Sequence, residues 1–174
     1  MVKQYMDETR LLPPLCEDEV CEIVADWFEA RGFIAKWIPA GKQGFDIEAT
    51  HSVTGQRWIV EAKGATTSNR NSPAYGREYD QNGAYARVSQ AYWMASRWAC
   101  LNEHADVNIG IALPSTYHFD NHSRPVDNAC HLLGIAVFRV HLDKTVEVFP
   151  PSLETEASKK FERPKQLLLN PKST

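Results

Sequence analysis

At 174 residues, 43% hydrophobic and 24% charged, the chain is sized for one compact domain, and no apolar run approaches the length of a membrane span. Its net charge of −3 excludes a broadly basic surface that would hold nucleic acid through bulk electrostatics, while leaving room for a local basic patch. The four cysteines, Cys16, Cys21, Cys100 and Cys130, form no C-x-x-C pair, and the Cys100/His104 and Cys130/His131 neighbours lack a matching second half, so ordinary buried thiols are expected rather than a disulfide framework or a structural zinc centre.

The chain opens on Met1-Val2-Lys3-Gln4-Tyr5-Met6-Asp7-Glu8, without the uninterrupted apolar core of a secretory signal, so a cytoplasmic protein with no membrane partner is expected. Residues 1–16 read as an N-terminal arm, its loosely held first part closed by Pro13-Pro14. From Glu17 to Arg31, Val20, Ile23, Val24, Trp27 and Phe28 recur at helical spacing and predict an amphipathic helix stopped by Gly32, its solvated face acidic. Phe33 to Ile38 predicts a first strand, ended by Pro39 and the Gly41-Lys42-Gln43-Gly44 turn. Phe45 to His51 predicts a second, which Thr54-Gly55 turns into a third from Gln56 to Lys63. Along that third strand Glu61 and Lys63 share one face and Ala62 takes the other, because side chains alternate.

Gly64 to Asp80 is a polar loop longer than compact domains usually carry without a task, and its place just after the Glu61/Lys63 pair suggests one. Gln81 to Leu101 predicts the longest helix, with a packing face of Ala84, Val88, Ala91, Tyr92, Ala95, Trp98 and Ala99. Two near-continuous apolar runs, Val107 to Leu113 and Leu133 to Val140, have the pattern of central strands covered on both faces. Pro114 to Cys130, between them, reads as a loop with room for a short helix. Its His118 and His122 are four residues apart, but Pro114 and Pro125 crowd them, which favours surface histidines over a metal pair. Thr145 to Phe149 predicts an edge strand, after which 151–174 read as a mostly extended C-terminal tail. The main domain thus runs over 17–150. Basic residues concentrate between Arg57 and Arg97, the part on which a polyanion is expected to dock.

A helix, a three-stranded meander with an acid at the second strand and Glu-x-Lys on the third, then helix and strand: this order resembles the PD-(D/E)xK nuclease superfamily, and within it the Mrr-type and Holliday-junction-resolvase-type members. The resemblance covers roughly residues 17–140 and rests on Asp46, Glu61 and Lys63. Asp46 follows a glycine-containing turn, Gly41-x-x-Gly44-Phe45-Asp46, with Phe45 in place of the signature proline, a change the Mrr-like members share. The resemblance implies an α/β fold with a restriction-endonuclease-like αβββαβ core, a central mixed sheet flanked by helices. It also implies a Mg²⁺-dependent endonuclease, with Mn²⁺ as a substitute, that hydrolyses DNA phosphodiester bonds.

Elementary chemistry agrees with that expectation. Phosphodiester hydrolysis needs a water made nucleophilic near neutral pH and charge neutralisation at phosphorus, and a hard divalent ion on carboxylates supplies both. Asp46 and Glu61 are the candidate carboxylates, the Ala62 carbonyl a third oxygen, and Lys63 the group that orients water or stabilises phosphate charge. By itself Glu-x-Lys also describes a solvated cross-strand pair. Relatives often carry a glutamate on the first helix eleven residues before the terminating glycine, where this chain has Cys21. Glu17, one turn earlier on the same face, is the candidate in its stead, or else simply an acid suited to the helix dipole. Gln90 and Arg87 on the long helix match positions such families use, and are otherwise exposed side chains. Arg70 and Arg77, with Asn69, Asn71 and Tyr75, suit phosphate positioning without sequence reading, or else a plain solvated loop. A structure-selective or partner-directed DNA nuclease, with homodimerisation as a way to reach two strands, is therefore expected. The alternatives are a non-catalytic nucleic-acid-binding or regulatory protein on the same fold and a structural Glu61/Lys63 ion pair.

Overall fold

The computed structural model describes residues 12–161. Most of the N-terminal arm and residues 162–174 of the tail lie outside the described residues.

Helix α1 (Glu17–Glu29) begins where the Cys16 backbone N–H donates to the Glu19 carboxylate at 2.8 Å, half of a reciprocal cap. Val20, Ile23, Val24, Trp27 and Phe28 are buried along one stripe, as the 3.6-residue period requires. The helix ends before Gly32, whose φ of +84° turns the chain back into β1 (Phe33–Trp37).

Strands β1, β2 (Ile47–His51) and β3 (Arg57–Ala62) form an antiparallel meander, with Ala35 opposite Ala49 and Ala49 opposite Trp58. Helix α2 (Gln81–Cys100), capped by Asp80 accepting the Gly83 N–H, then returns the chain to β4 (Val107–Pro114), which pairs parallel with β3. Strand β5 (Ile135–Val140) continues in parallel, and β6 (Val146–Phe149) closes the far edge antiparallel. The result is one open, mixed six-stranded sheet in the order β1-β2-β3-β4-β5-β6, an α/β architecture with helices on both faces.

Alternation along the strands divides the core in two. Trp58, Val60 and Ala62 pack with α1 on one face together with Phe138 and Val140; Ile59, Ile109, Ile111 and Val137 pack with α2 on the other. The rings of Phe28, Trp58 and Phe138 meet at 5.4–5.8 Å between centroids.

Two sequence expectations are corrected. Pro114 to Cys130 is mostly helical: α3 (Tyr117–Ser123) is capped by the Thr116 hydroxyl, a 3₁₀ turn covers Arg124–Val126, and α4 (Asp127–Leu132) follows. Pro125 sits in the first turn of the 3₁₀ segment, where its missing N–H costs nothing, so the proline joins two short helices rather than excluding them. Residues 151–161 are not extended either, since α5 (Leu153–Glu156) and the residues to Phe161 fold back onto the sheet. Leu153 and Ala157 are buried there, and the Trp58 indole N–H donates to the Ala157 carbonyl at 2.9 Å. The Asn108 amide donates to the Lys159 carbonyl and accepts from the Phe161 N–H.

A charge is buried near the end of β5. Arg139 is fully enclosed, its guanidinium held by Asp127 and Ser123 and lying 3.8 Å from Asp120, all three on or beside α3 and α4. Among the described residues no helix is long and apolar enough to cross a membrane.

Candidate functional site

The acids and the lysine singled out in the sequence meet at the C-terminal end of β3. Asp46 stands one residue before β2 and Lys63 one residue after β3, so both flank the pairing that sets Ile47 opposite Val60. The Ala62 N–H donates to Asp46 Oδ2 at 2.7 Å and locks that carboxylate against the strand end. Lys63 Nζ donates to Glu61 Oε1 at 2.5 Å and to the Ala62 carbonyl at 2.7 Å. Asp46 Oδ2 and Glu17 Oε2 each lie 3.9 Å from the same ammonium. All four side chains are less than one-fifth exposed.

Glu17 reaches this point because the chain before α1 is tied to the chain after β3. Cys16 bridges Thr66 in parallel fashion, and the Ala65 N–H donates to the Leu15 carbonyl at 2.7 Å. Gly64 makes the approach possible, since a Cβ there would lie 2.3 Å from the Glu17 nitrogen and 2.6 Å from the Cys16 carbonyl carbon. Both are backbone atoms that cannot swing aside. Gly64→Ala is therefore expected to push the first turn of α1 off the strand end and to destabilise the protein by about 1–3 kcal/mol. Urea unfolding measures it, and an unchanged midpoint would mean the approach is slack.

Three carboxylates about one ammonium leave excess negative charge. Burial, partly offset by Lys63, holds the Glu17, Asp46 and Glu61 carboxyls above their ordinary values. Burial pulls the Lys63 ammonium down, but Glu61 and then Glu17 and Asp46 outweigh it and hold Lys63 above its usual value. A carboxyl raised in the folded state stabilises at acid pH and loses that contribution as pH rises through its folded pKa. Glu17→Gln is thus expected to raise the melting temperature at pH 7 in EDTA and to give no gain at a pH where Glu17 is protonated. Equal melting shifts at both pH values would refute the electrostatic origin.

Cys21, the α1 position one turn after Glu17, is buried, and its thiol is pushed up first by burial and then by the Asp46 and Glu17 charges. It is a neutral neighbour of the cluster.

Beside the cluster a cleft of about 550 Å³ is lined by Glu17, Gly64, Thr66, Asn69, Tyr79 and Arg87, among others. Arg87 lies over the Tyr79 ring at 4.9 Å and donates to its hydroxyl at 3.2 Å, so the long helix presents a fixed guanidinium to the cleft. Gln90 is exposed and outside the lining, as are Arg70 and Arg77 on the 64–80 loop. His118 and His122 share α3 and are partly buried, each with one ring nitrogen lacking a partner. Sequence reasoning missed Gly64 and Tyr79. The aromatic eight residues before Arg87, just ahead of the helix cap, was the available signal.

The oxygens suit a hard cation in kind: carboxylates and a carbonyl, in excess negative charge. As they stand, no three His, Cys, Asp or Glu side chains among the described residues are grouped to hold a metal ion, and the oxygens ring Lys63 instead. Comparison with known proteins finds no matching family model, no matching curated protein and no matching solved structure.

Proposed function

We propose that the protein is a Mg²⁺-dependent endonuclease of the restriction-endonuclease-like fold that hydrolyses DNA phosphodiester bonds. One observation carries the reading: Glu17, Asp46 and Glu61 converge within 4 Å of the Lys63 ammonium beside an open polar cleft. The order α1, β1-β2-β3, α2, β4 supports the fold assignment, with Asp46 just before β2, Glu61 on β3 and Lys63 just after it.

Asp46 and Glu61, with the Ala62 carbonyl, would hold the cation, and Glu17 would balance its charge. When bound, Mg²⁺ lowers the pKa of a coordinated water and neutralises charge at the phosphate. The chain's own groups do the rest. The Ala62 N–H fixes Asp46 through one oxygen. Lys63 orients the attacking water and stabilises the negative charge that grows on phosphorus-bound oxygen as the water oxygen bonds to phosphorus and the P–O bond to the leaving sugar breaks. Arg87 meets the backbone phosphates entering the cleft. Arg70 and Arg77, exposed on the neighbouring loop, hold the flanking duplex. Among the described residues no separate base-reading module accompanies the sheet and its helices, which favours structure-selective or partner-directed cleavage, and a homodimer would address two strands.

Plasmid and branched DNA incubated with the protein in Mg²⁺ or Mn²⁺ are expected to be cut, and EDTA is expected to stop the reaction. A second reading, a non-catalytic nucleic-acid-binding or regulatory protein on the same fold, is favoured by Cys21 on the first helix and by the Lys63 ion pairing already in place. DNA bound without cleavage in either metal would select it. Failure both to bind and to cut would leave Glu61 and Lys63 as a structural pair.

A further inference from the structure

Three of the four oxygens about the Lys63 ammonium, from Glu61, the Ala62 carbonyl and Asp46, are the same ones that would hold a divalent ion, and the fourth is Glu17's. Nζ contacts Glu61 Oε1 and the Ala62 carbonyl directly and lies 3.9 Å from Asp46 Oδ2 and from Glu17 Oε2. The lysine side chain is only 10% exposed, so water and salt screen little of what it feels. A doubly charged ion and an ammonium repel strongly at such distances in a partly desolvated pocket.

The geometry points to Lys63 as an internal competing cation: in the metal-free protein it occupies the carboxylate ring, and it gives up Glu61 when that ring takes a divalent ion. The inference rests on the nuclease reading for the identity of the ligands. It accounts for carboxylates that surround a positive tip yet are not grouped among themselves as a metal site. The same side chain then has two opposed effects, since the ammonium that serves the phosphate also lowers the affinity for metal in the absence of DNA. An anionic phosphate in the cleft offers the released ammonium another partner. Metal and DNA therefore bind with positive coupling, each raising affinity for the other.

The test is a Mn²⁺ titration without nucleic acid, with free ion followed by electron paramagnetic resonance, on wild type, Lys63→Met and Lys63→Arg. Lys63→Met keeps the apolar stem and removes the charge, and it is expected to bind Mn²⁺ at least about tenfold more tightly than wild type. Lys63→Arg is expected to bind no more tightly than wild type. Where Lys63→Met does not fold, Lys63→Gln replaces it with the same expectation. A folded, charge-free variant with equal or weaker Mn²⁺ affinity overturns the proposal. If wild type still cuts DNA in Mn²⁺, that result sinks the competition alone. Failure of wild type and variant alike to take up Mn²⁺, with no cleavage, removes the nuclease reading as well.

Discussion

Lys63→Ala is expected to lower DNA cleavage in Mg²⁺ by about 10²–10⁴-fold, the range typical for loss of a positioned proton-transfer or charge-stabilising group. Affinity for DNA should change little, because Arg87, Arg70 and Arg77 are left to meet the backbone. The stability of the variant should depend on metal more steeply than that of wild type. In EDTA the alanine variant leaves Glu17, Asp46 and Glu61 facing one another with no cation, and its melting temperature should fall. Added Mg²⁺ should restore it, since binding to the folded state stabilises by mass action. Single-turnover cleavage and thermal melts with and without EDTA measure both effects. Cleavage within about threefold of wild type would remove Lys63 from the chemistry.

The second large effect is one of stability. Arg139 has no exposed surface, and its counter-charges come from Asp127 and, at 3.8 Å, Asp120. Asp127→Ala strands that guanidinium in the interior and is expected to cost about 3–5 kcal/mol. Arg139→Met, which fills similar space without a charge, is expected to be close to neutral or to stabilise by about 1 kcal/mol or more. Guanidinium chloride unfolding of the two variants distinguishes a pair that stabilises from one that is merely costly to break. An Asp127→Ala loss under about 1 kcal/mol would show that Ser123 and water suffice for the arginine.

Much of the site was legible because strand alternation and hairpin pairing are local. Glu61 and Lys63 share a face by parity alone, and the Thr54-Gly55 turn brings Asp46 beside them by register. Glu17 required one further step, the 3.6-residue period counted from Cys21. What closes Glu17 onto Lys63 was not legible, because it depends on a backbone approach at Gly64 that no side chain announces. The helices between Pro114 and Cys130 were hidden by prolines read as breakers when one of them starts a turn. Arg139 stood inside an apolar run, Ile135 to Val140, and its partners lie twelve to nineteen residues earlier on two helices where that reading allowed a loop with one short helix. The fold-back of residues 153–161 is held by polar side-chain anchors distant in sequence, among them Trp58, Asn108 and Thr54, each reaching a backbone atom some fifty to a hundred residues away.

The first of those anchors gives the molecule a built-in optical gauge. Trp58 is 1% exposed, ringed by Phe28 and Phe138 and closed over by the Ala157 carbonyl, while Trp93 on α2 is 68% exposed. The two indoles therefore emit from opposite environments, one shielded from soluble quenchers such as acrylamide and one open to them. Lifting of the C-terminal segment would redden and quench the sheltered emitter while the exposed one stayed as it was, so in a variant with Trp27, Trp37 and Trp98 replaced by Phe, detachment of that segment can be timed apart from global unfolding by fluorescence.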